Sequence, residues 1–96
     1  MPEVFVKLMN KGIKYKNHDR FPFRAREGAT IEDLIDDLHD EYRERFDVYL
    51  EDKQSRALKR DAIVIVNGMN MVARDGVKTR LSDGDLVVFM TAAVGG

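Results

Sequence analysis

The chain opens with apolar and polar residues in alternation, the pattern of a half-buried β-strand. Val4, Val6 and Leu8 fall on one face of this stretch. The turn-forming run Asn10-Lys11-Gly12 follows and ends the alternation. We therefore predict a first strand that buries one face and ends before this run.

A second extended stretch is predicted between Arg20 and Arg26. Phe21 and Phe23 fall on one side of it, again with the period of a strand. Pro22 has no backbone N–H and is therefore tolerated at the edge of a sheet rather than inside it. We expect a loose hairpin with the first strand, in which the second strand lies at the edge.

The segment after Thr30 carries apolar residues at spacings of three and four, which predicts an amphipathic helix. The apolar stripe consists of Ile31, Leu34, Ile35, Leu38 and Tyr42. An extension of the stripe to Phe46 is compatible with this spacing. Thr30 can cap the helix by accepting from backbone N–H groups, and Glu32 and Asp33 in the first turn favour its positive end. One helix is thus available to cover one face of a sheet.

The second half of the chain begins with a polar stretch, Glu51 to Arg60, that has neither period and is predicted to be a loop. Ala62 to Val66 is a β-branched run, typical of a strand buried on both faces. Asn67-Gly68 ends this strand with a turn.

The last strand is predicted from Leu86 to Met90, because it follows the strong turn signal Ser82-Asp83-Gly84-Asp85. The stretch from Val72 to Leu81 is irregular, and residues 91–96 are predicted to form a flexible C-terminal tail. The order is strand, strand, helix, strand, irregular stretch and strand. It predicts an α+β fold in which one main helix covers a mixed sheet.

Composition excludes several classes of function. The chain has 96 residues, which fits a single domain spanning 1–96, and it has no cysteine. Thiol nucleophiles, disulfides and cysteine-ligated zinc are therefore excluded. No apolar run approaches a membrane span and no signal peptide opens the chain, so we expect a cytoplasmic protein without membrane contact.

Charge is balanced overall but unevenly distributed. Sixteen basic and seventeen acidic residues give a formal charge of −1, which argues against a nucleic-acid partner. The stretch from Met1 to Arg26 is predominantly basic, and that from Glu32 to Glu44 is acidic. These regions could steer partners, although solvated charged faces explain them more simply.

Side chains suited to catalysis or metal binding are few. His18 is predicted in a polar loop and His39 on the exposed side of the helix, and neither has a predicted partner. Helical spacing would allow His39 to share a divalent cation with Asp36, Asp40 and Glu41, but a solvated face is the simpler explanation. We therefore predict no metal site and no internal active site.

The remaining candidate for chemistry is the C-terminal pair Gly95-Gly96. Glycine has no Cβ, so these residues could thread a channel too narrow for side chains. The carboxylate of Gly96 is also unhindered for attack on a nucleotide phosphate. Taken alone, a terminal Gly-Gly is a weak signal, because chain ends often carry glycine.

The glycines become informative together with the motifs before them. Val66-Asn67-Gly68 ends the β-branched strand, Leu81 to Asp85 precedes the last strand, and Val94-Gly95-Gly96 closes the chain. Over essentially its whole length the chain resembles the small subunit of molybdopterin synthase (MoaD) and its relatives, the thiamine-pathway sulfur carriers (ThiS) and the archaeal ubiquitin-like modifiers. The resemblance implies a ubiquitin-like β-grasp fold. The chain departs from the molybdopterin branch at Ala92 and Ala93, where that branch often has prolines.

The same resemblance implies a sulfur carrier. An E1-like (MoeB/ThiF-type) adenylating enzyme would activate the C-terminus with ATP, and a sulfurtransferase would supply sulfur. The thiocarboxylate would then serve the molybdopterin synthase large subunit in molybdenum cofactor biosynthesis. The chain would be a non-catalytic subunit without a cofactor of its own. Alternatives are a protein modifier conjugated to lysines, a sulfur carrier for thiamine or tRNA thiolation, and a non-covalent β-grasp interaction module.

The resemblance also implies the site residues. Gly96 would be adenylated and thiocarboxylated, while Gly95 and Val94 would thread into a partner's active site. The expected partner contacts near the root of the tail are Phe89, Met90, Ala92 and Ala93. For Phe89, packing in the core is the alternative.

Overall fold

A computed structural model describes residues 1–9, 20–52 and 54–91. Its strands and helices, in chain order, are β1 (Glu3–Leu8), β2 (Phe21–Arg24), α1 (Ile31–Tyr42), α2 (Glu44–Asp47), β3 (Leu50–Asp52), β4 (Ala57–Leu58), β5 (Ala62–Val66), β6 (Met69–Asn70) and β7 (Leu86–Thr91). Short 3₁₀ helices at Met71–Ala73 and Gly76–Lys78 lie between β6 and β7. The predicted turn at Asn10-Lys11-Gly12, His18 and residues 92–96 fall outside the described residues.

Five of the described strands form one mixed sheet in the order β2-β1-β7-β5-β6. β1 pairs antiparallel with β2 and parallel with β7, and β5 pairs antiparallel with both β7 and β6. β3 and β4 form a separate antiparallel pair. The predicted α+β fold with one main helix is confirmed, and β2, with its Pro22, lies at a sheet edge as predicted.

The core lies between α1 and one face of the sheet. α1 begins with a capping box: the hydroxyl of Thr30 accepts from the backbone N–H of Asp33 (3.3 Å), and the Asp33 carboxylate accepts from that of Thr30 (3.1 Å). The fully buried residues include Ile31, Leu34 and Leu38 on the helix and Val4, Val6, Val64, Val66, Val87 and Phe89 on the strands. These strand residues are alternate positions, so the intervening side chains point away from the core.

Two predictions for the second half of the chain are wrong. The polar stretch from Glu51 to Arg60, predicted as a loop, contains most of the β3–β4 pair. These strands are three and two residues long, too short to show a period. β5 is buried on one face rather than two, because Ile63 and Ile65 remain partly exposed where α1 does not cover the sheet.

Two boundaries also differ from the prediction. Phe46 is buried but belongs to α2, since the chain turns at Arg43, whose φ of 50° lies outside the right-handed helical region. At the other end of the chain, Thr91 is the last residue of β7. The strand therefore extends one residue into the predicted tail 91–96.

Candidate functional site

The strand that leads to the C-terminal glycines, β7, lies inside the sheet. On one side Val87 pairs with Val6 of β1, and on the other Thr91 pairs with Ala62 of β5. Pairing with β5 thus extends to the last residue of β7, and the residue that precedes Ala92 is held by the sheet. The predicted site residues Ala92, Ala93, Val94, Gly95 and Gly96 themselves fall outside the described residues.

Hydrogen bonds anchor the start of β7. Asn67 donates from Nδ2 to Oδ1 of Asp85 (2.9 Å), and its Oδ1 accepts from the backbone N–H of Leu86 (2.9 Å). Oδ2 of Asp85 accepts from the backbone N–H of Ser82 (2.8 Å), and the Asp85 carbonyl accepts from that of Phe5 (2.8 Å). The two turn motifs predicted from the sequence therefore form one network that joins β1, β5 and β7.

Phe89 and Met90 of β7, both predicted to contact a partner, point to opposite faces of the sheet. Phe89 is 0% exposed and packs against the rings of Phe46 (centroid distance 5.1 Å) and Tyr49 (5.8 Å). Core packing, the alternative for Phe89, is thus the role that its position supports. Met90 is partly exposed on the other face and remains a candidate for partner contact.

The sheet face that points away from α1 carries partly exposed apolar side chains, and we call it the open face. Its apolar residues are Phe5, Ile63, Ile65, Leu86, Val88 and Met90. None of these six belongs to the buried core cluster. Val88 and Met90 lie directly opposite residues of β5, so the apolar surface is continuous across strands. It reaches the end of β7 from which the chain continues to the glycines.

Basic side chains border the open face at its β1–β2 side. Lys7 and Arg24 point outward from β1 and β2, and Arg20 directly precedes β2. The guanidinium carbon of Arg20 lies 5.6 Å from the centroid of the Phe5 ring. Glu3, opposite Arg24, is an acidic residue on the same face. The sequence predicted a basic opening of the chain, but not that its cations border an apolar surface.

The prediction that His39 lies on the exposed side of the helix is wrong, and the structure supplies a partner that the sequence did not identify. His39 is 8% exposed, and its Nδ1 lies 2.5 Å from Oδ1 of Asp47 in α2. Asp36 and Asp40, considered with it as cation ligands, lie near Arg56 instead (3.4 Å each). Within the part of the chain that the structure describes, no three His, Cys, Asp or Glu side chains are grouped as metal ligands would be. None of the described helices is long and apolar enough to cross a membrane.

Comparison with protein families gives a match to the ThiS family over residues 8–96. The match includes the turn network, β7 and the C-terminal glycines. No curated protein sequence matches the chain.

Solved structures resemble the chain over almost its full length. The Haloferax volcanii HVO 2177 protein has a TM-score of 0.74 and 25% identity, over 99% of this chain and 87% of that one. The small archaeal modifier protein 1 of Methanosarcina acetivorans has a TM-score of 0.73 and 24% identity, over 100% and 98%. A chain of the Amycolatopsis orientalis BexX/CysO complex has a TM-score of 0.65 and 23% identity, over 97% and 99%. The predicted ubiquitin-like β-grasp fold is thereby confirmed.

Proposed function

The chain belongs to the ThiS family of small sulfur carriers, and we propose on that basis that it carries sulfur as a thiocarboxylate on Gly96. We propose molybdopterin biosynthesis as the destination of that sulfur because the sequence resembles the small subunit of molybdopterin synthase. The observation that carries the proposal is the family match through residue 96, because it includes the glycine that would be loaded. The chain has no cysteine, so it has no thiol on which sulfur could be held instead.

Loading of the carrier takes two steps on an E1-like adenylating enzyme. A carboxylate oxygen of Gly96 attacks the α-phosphorus of ATP, an acyl-adenylate forms, and pyrophosphate leaves. Sulfide-level sulfur delivered through a sulfurtransferase then attacks the acyl carbon, so that a C–S bond forms while the C–O bond to AMP breaks. The thiocarboxylate is the nucleophile presented to the pterin precursor in the molybdopterin synthase large subunit. Once this sulfur has bonded to a carbon of the precursor, water attacks the acyl carbon of Gly96 and the acyl C–S bond breaks, which leaves the sulfur on the precursor and restores the carboxylate.

The way in which β7 is held supports this role. β1 and β5 flank the strand, and the Asn67–Asp85 network fixes its start. A reactive end is positioned best when the element that carries it is rigid. Gly95 and Gly96 add no side chain that would obstruct a narrow channel. The chain thus combines a fixed base with an end suited to enter another protein.

The open face supports the binding of partners beside that end. Continuous apolar surface on a small protein commonly marks a site of protein interaction. Met90 belongs to this surface and is next to the last residue of β7. An enzyme that binds the open face would therefore also be close to the segment that it must activate.

Deletion of Gly96 tests the proposal. Wild-type chain and the deletion variant are incubated with the large subunit, adenylating enzyme, ATP, sulfide and pterin precursor, and molybdopterin is quantified. We expect product with the wild type and none with the variant. A variant that remains active would favour a non-covalent interaction module. Loaded carrier that yields thiamine precursor or thiolated tRNA instead, or carrier joined to lysines, would identify a different destination.

A further inference from the structure

His39 is a buried titratable side chain to which the proposed function gives no role. It is 8% exposed, and its Nδ1 lies 2.5 Å from Oδ1 of Asp47, whose side chain is 9% exposed. A pair so enclosed is not available to a nucleotide bound in another protein. Among the described residues it also belongs to no group of metal ligands. A role of this pair in loading must therefore act through the structure around it.

The pair holds α2, a helix that depends on contacts outside itself. α2 has four residues, far fewer than an isolated helix needs. It begins after Arg43, whose φ of 50° and ψ of −119° are unfavourable for a residue with a Cβ. Such a conformation persists only where surrounding contacts enforce it. The contact of Asp47 with His39 of α1 is one of these, and the burial of Phe46 is another.

Side chains connect this region to the end of β7. The ring of Phe46 lies 5.1 Å from that of Phe89, and the ring of Tyr49, which follows α2, lies 5.8 Å from it. Phe89 is two residues before Thr91, the last residue of β7. The α1 side of the strand end is thus covered by two rings whose position depends on α2.

The backbone supplies a second connection. The carbonyl of Tyr49 accepts from the N–H of Lys59 (2.9 Å), and the carbonyl of Lys59 accepts from the N–H of Ala62 (3.1 Å). Ala62 in turn pairs with Thr91. The residues that follow α2 are therefore linked, through two hydrogen bonds and one strand pairing, to the point from which the chain continues to the glycines.

We infer that His39 and Asp47 together act as positioning residues for the loading of Gly96. The pair holds α2, and α2 fixes the direction in which the chain leaves Thr91. The inference rests on the proposed function, because it concerns the same carboxylate. Adenylation needs that carboxylate in line with the α-phosphorus, and a displacement of about 1 Å can lower a rate by about a hundredfold.

Loss of the pair should change the rate of loading more than the affinity for the enzyme. When α2 moves, Thr91 moves with it, and the carboxylate spends a smaller fraction of the bound time in productive geometry. The open face lies on the opposite side of the sheet from α1 and α2. Its side chains are therefore unaffected by changes at Asp47.

The test measures adenylation of the full chain as ATP–pyrophosphate exchange with the adenylating enzyme from the same genome, at varied carrier concentration. Asp47→Ala should lower kcat about tenfold and change KM for the carrier less than about twofold. Asp47→Asn keeps an oxygen that accepts from His39, so it should restore most of the rate. Phe46→Leu, which weakens the contact with Phe89 and stays apolar, should also lower kcat and replaces Asp47→Ala if that variant does not fold.

The matched control is Thr30→Ala. It removes the hydroxyl of the capping box at the opposite end of α1 and so destabilises the same helix. It leaves α2 and the end of β7 intact, and its kcat should equal that of the wild type.

Hydrogen exchange of the isolated chain provides a second measurement. In Asp47→Ala the amides of Lys59 and Ala62 should exchange at least about tenfold faster than in the wild type. The amide of Phe5, which donates to the carbonyl of Asp85 at the start of β7, should change less. A purely global loss of stability would instead accelerate all three amides alike.

Several results would overturn the inference: a wild-type kcat in Asp47→Ala, an equal loss of rate in Thr30→Ala, a raised KM with unchanged kcat, or equal acceleration of hydrogen exchange at both ends of β7. Each would assign the effect to stability or binding, or show that there is none. A wild-type chain that an active enzyme does not adenylate would refute the proposed function itself. Wild-type adenylation that Asp47→Ala matches would overturn the inference alone.

Discussion

The side chains of Asn67 and Asp85 are joined by a hydrogen bond of 2.9 Å, although eighteen residues separate them in the sequence. Asn67 lies in the turn after β5 and Asp85 immediately before β7. The same Asn67 side chain accepts from the backbone N–H of Leu86. This contact makes the turn between β5 and β6 part of the support for the strand that leads to Gly96.

The first prediction concerns this contact. Asn67→Ala removes both side-chain hydrogen bonds. It also places alanine at a positive φ of 52°, a conformation that asparagine tolerates better because its side chain can form local hydrogen bonds. We expect a loss of about 2 kcal/mol in the free energy of unfolding, measured by urea denaturation. Asn67→Gly removes the same bonds but accepts the backbone conformation, so it should lose less. An alanine variant as stable as the wild type would contradict the role given to this network.

The second prediction concerns His39 and Asp47. Asp47→Ala leaves the buried His39 without its described partner, and we expect thermal unfolding to show a loss of about 1–3 kcal/mol. Asp47→Asn keeps an oxygen in place and should lose less. Glu44→Ala, which removes an exposed acid from the same short helix, should change stability by no more than about 0.5 kcal/mol. Equal effects of Asp47→Ala and Glu44→Ala would show that the contact contributes nothing.

The third prediction concerns pH. Partial burial, followed by the negative charge of Glu41, raises the pKa of Tyr42, while Arg45 lowers it. Because the pKa of Tyr42 is higher in the folded state than in the unfolded state, the protonated tyrosine favours the folded state. This contribution to the free energy of unfolding is fully present below the unfolded-state pKa of about 10 and is lost as pH rises through the folded-state value.

Ultraviolet titration of the tyrosines checks this third prediction. Glu41→Gln should lower the pKa of Tyr42 without restoring its ordinary value, because the ring still packs edge-on against Phe21 at 5.3 Å. Tyr42→Phe should reduce the loss of stability in alkaline solution. A Glu41→Gln variant with a higher Tyr42 pKa would contradict the stated cause.

Local patterns were sufficient to predict most of the fold. The spacing from Ile31 to Tyr42 predicted the helix and Thr30 predicted its start, because an N-cap depends only on neighbouring residues. Pro22 placed β2 at an edge, since a missing N–H cannot complete a ladder. Each of these features depends on interactions a few residues apart.

Features that depend on distant contacts could not be predicted in the same way. The burial of His39 depends on α2, which exists because the chain turns at Arg43 with a positive φ. The position of Phe89 was ambiguous, because alternation along β7 does not by itself show which face α1 covers. The open face was missed for a related reason: the β-branched run of β5 is equally consistent with one covered face or two.

The central claim is that Gly96 holds sulfur, and the intact mass of the chain after incubation with adenylating enzyme, ATP and sulfide tests it most directly. We predict a mass increase equal to the replacement of one oxygen by sulfur, which is lost when Gly96 is deleted. The loaded chain should also take up one equivalent of a thiol alkylating reagent, which the unloaded chain, with no cysteine, should not. An unchanged mass under conditions in which the enzyme forms the acyl-adenylate would contradict the account.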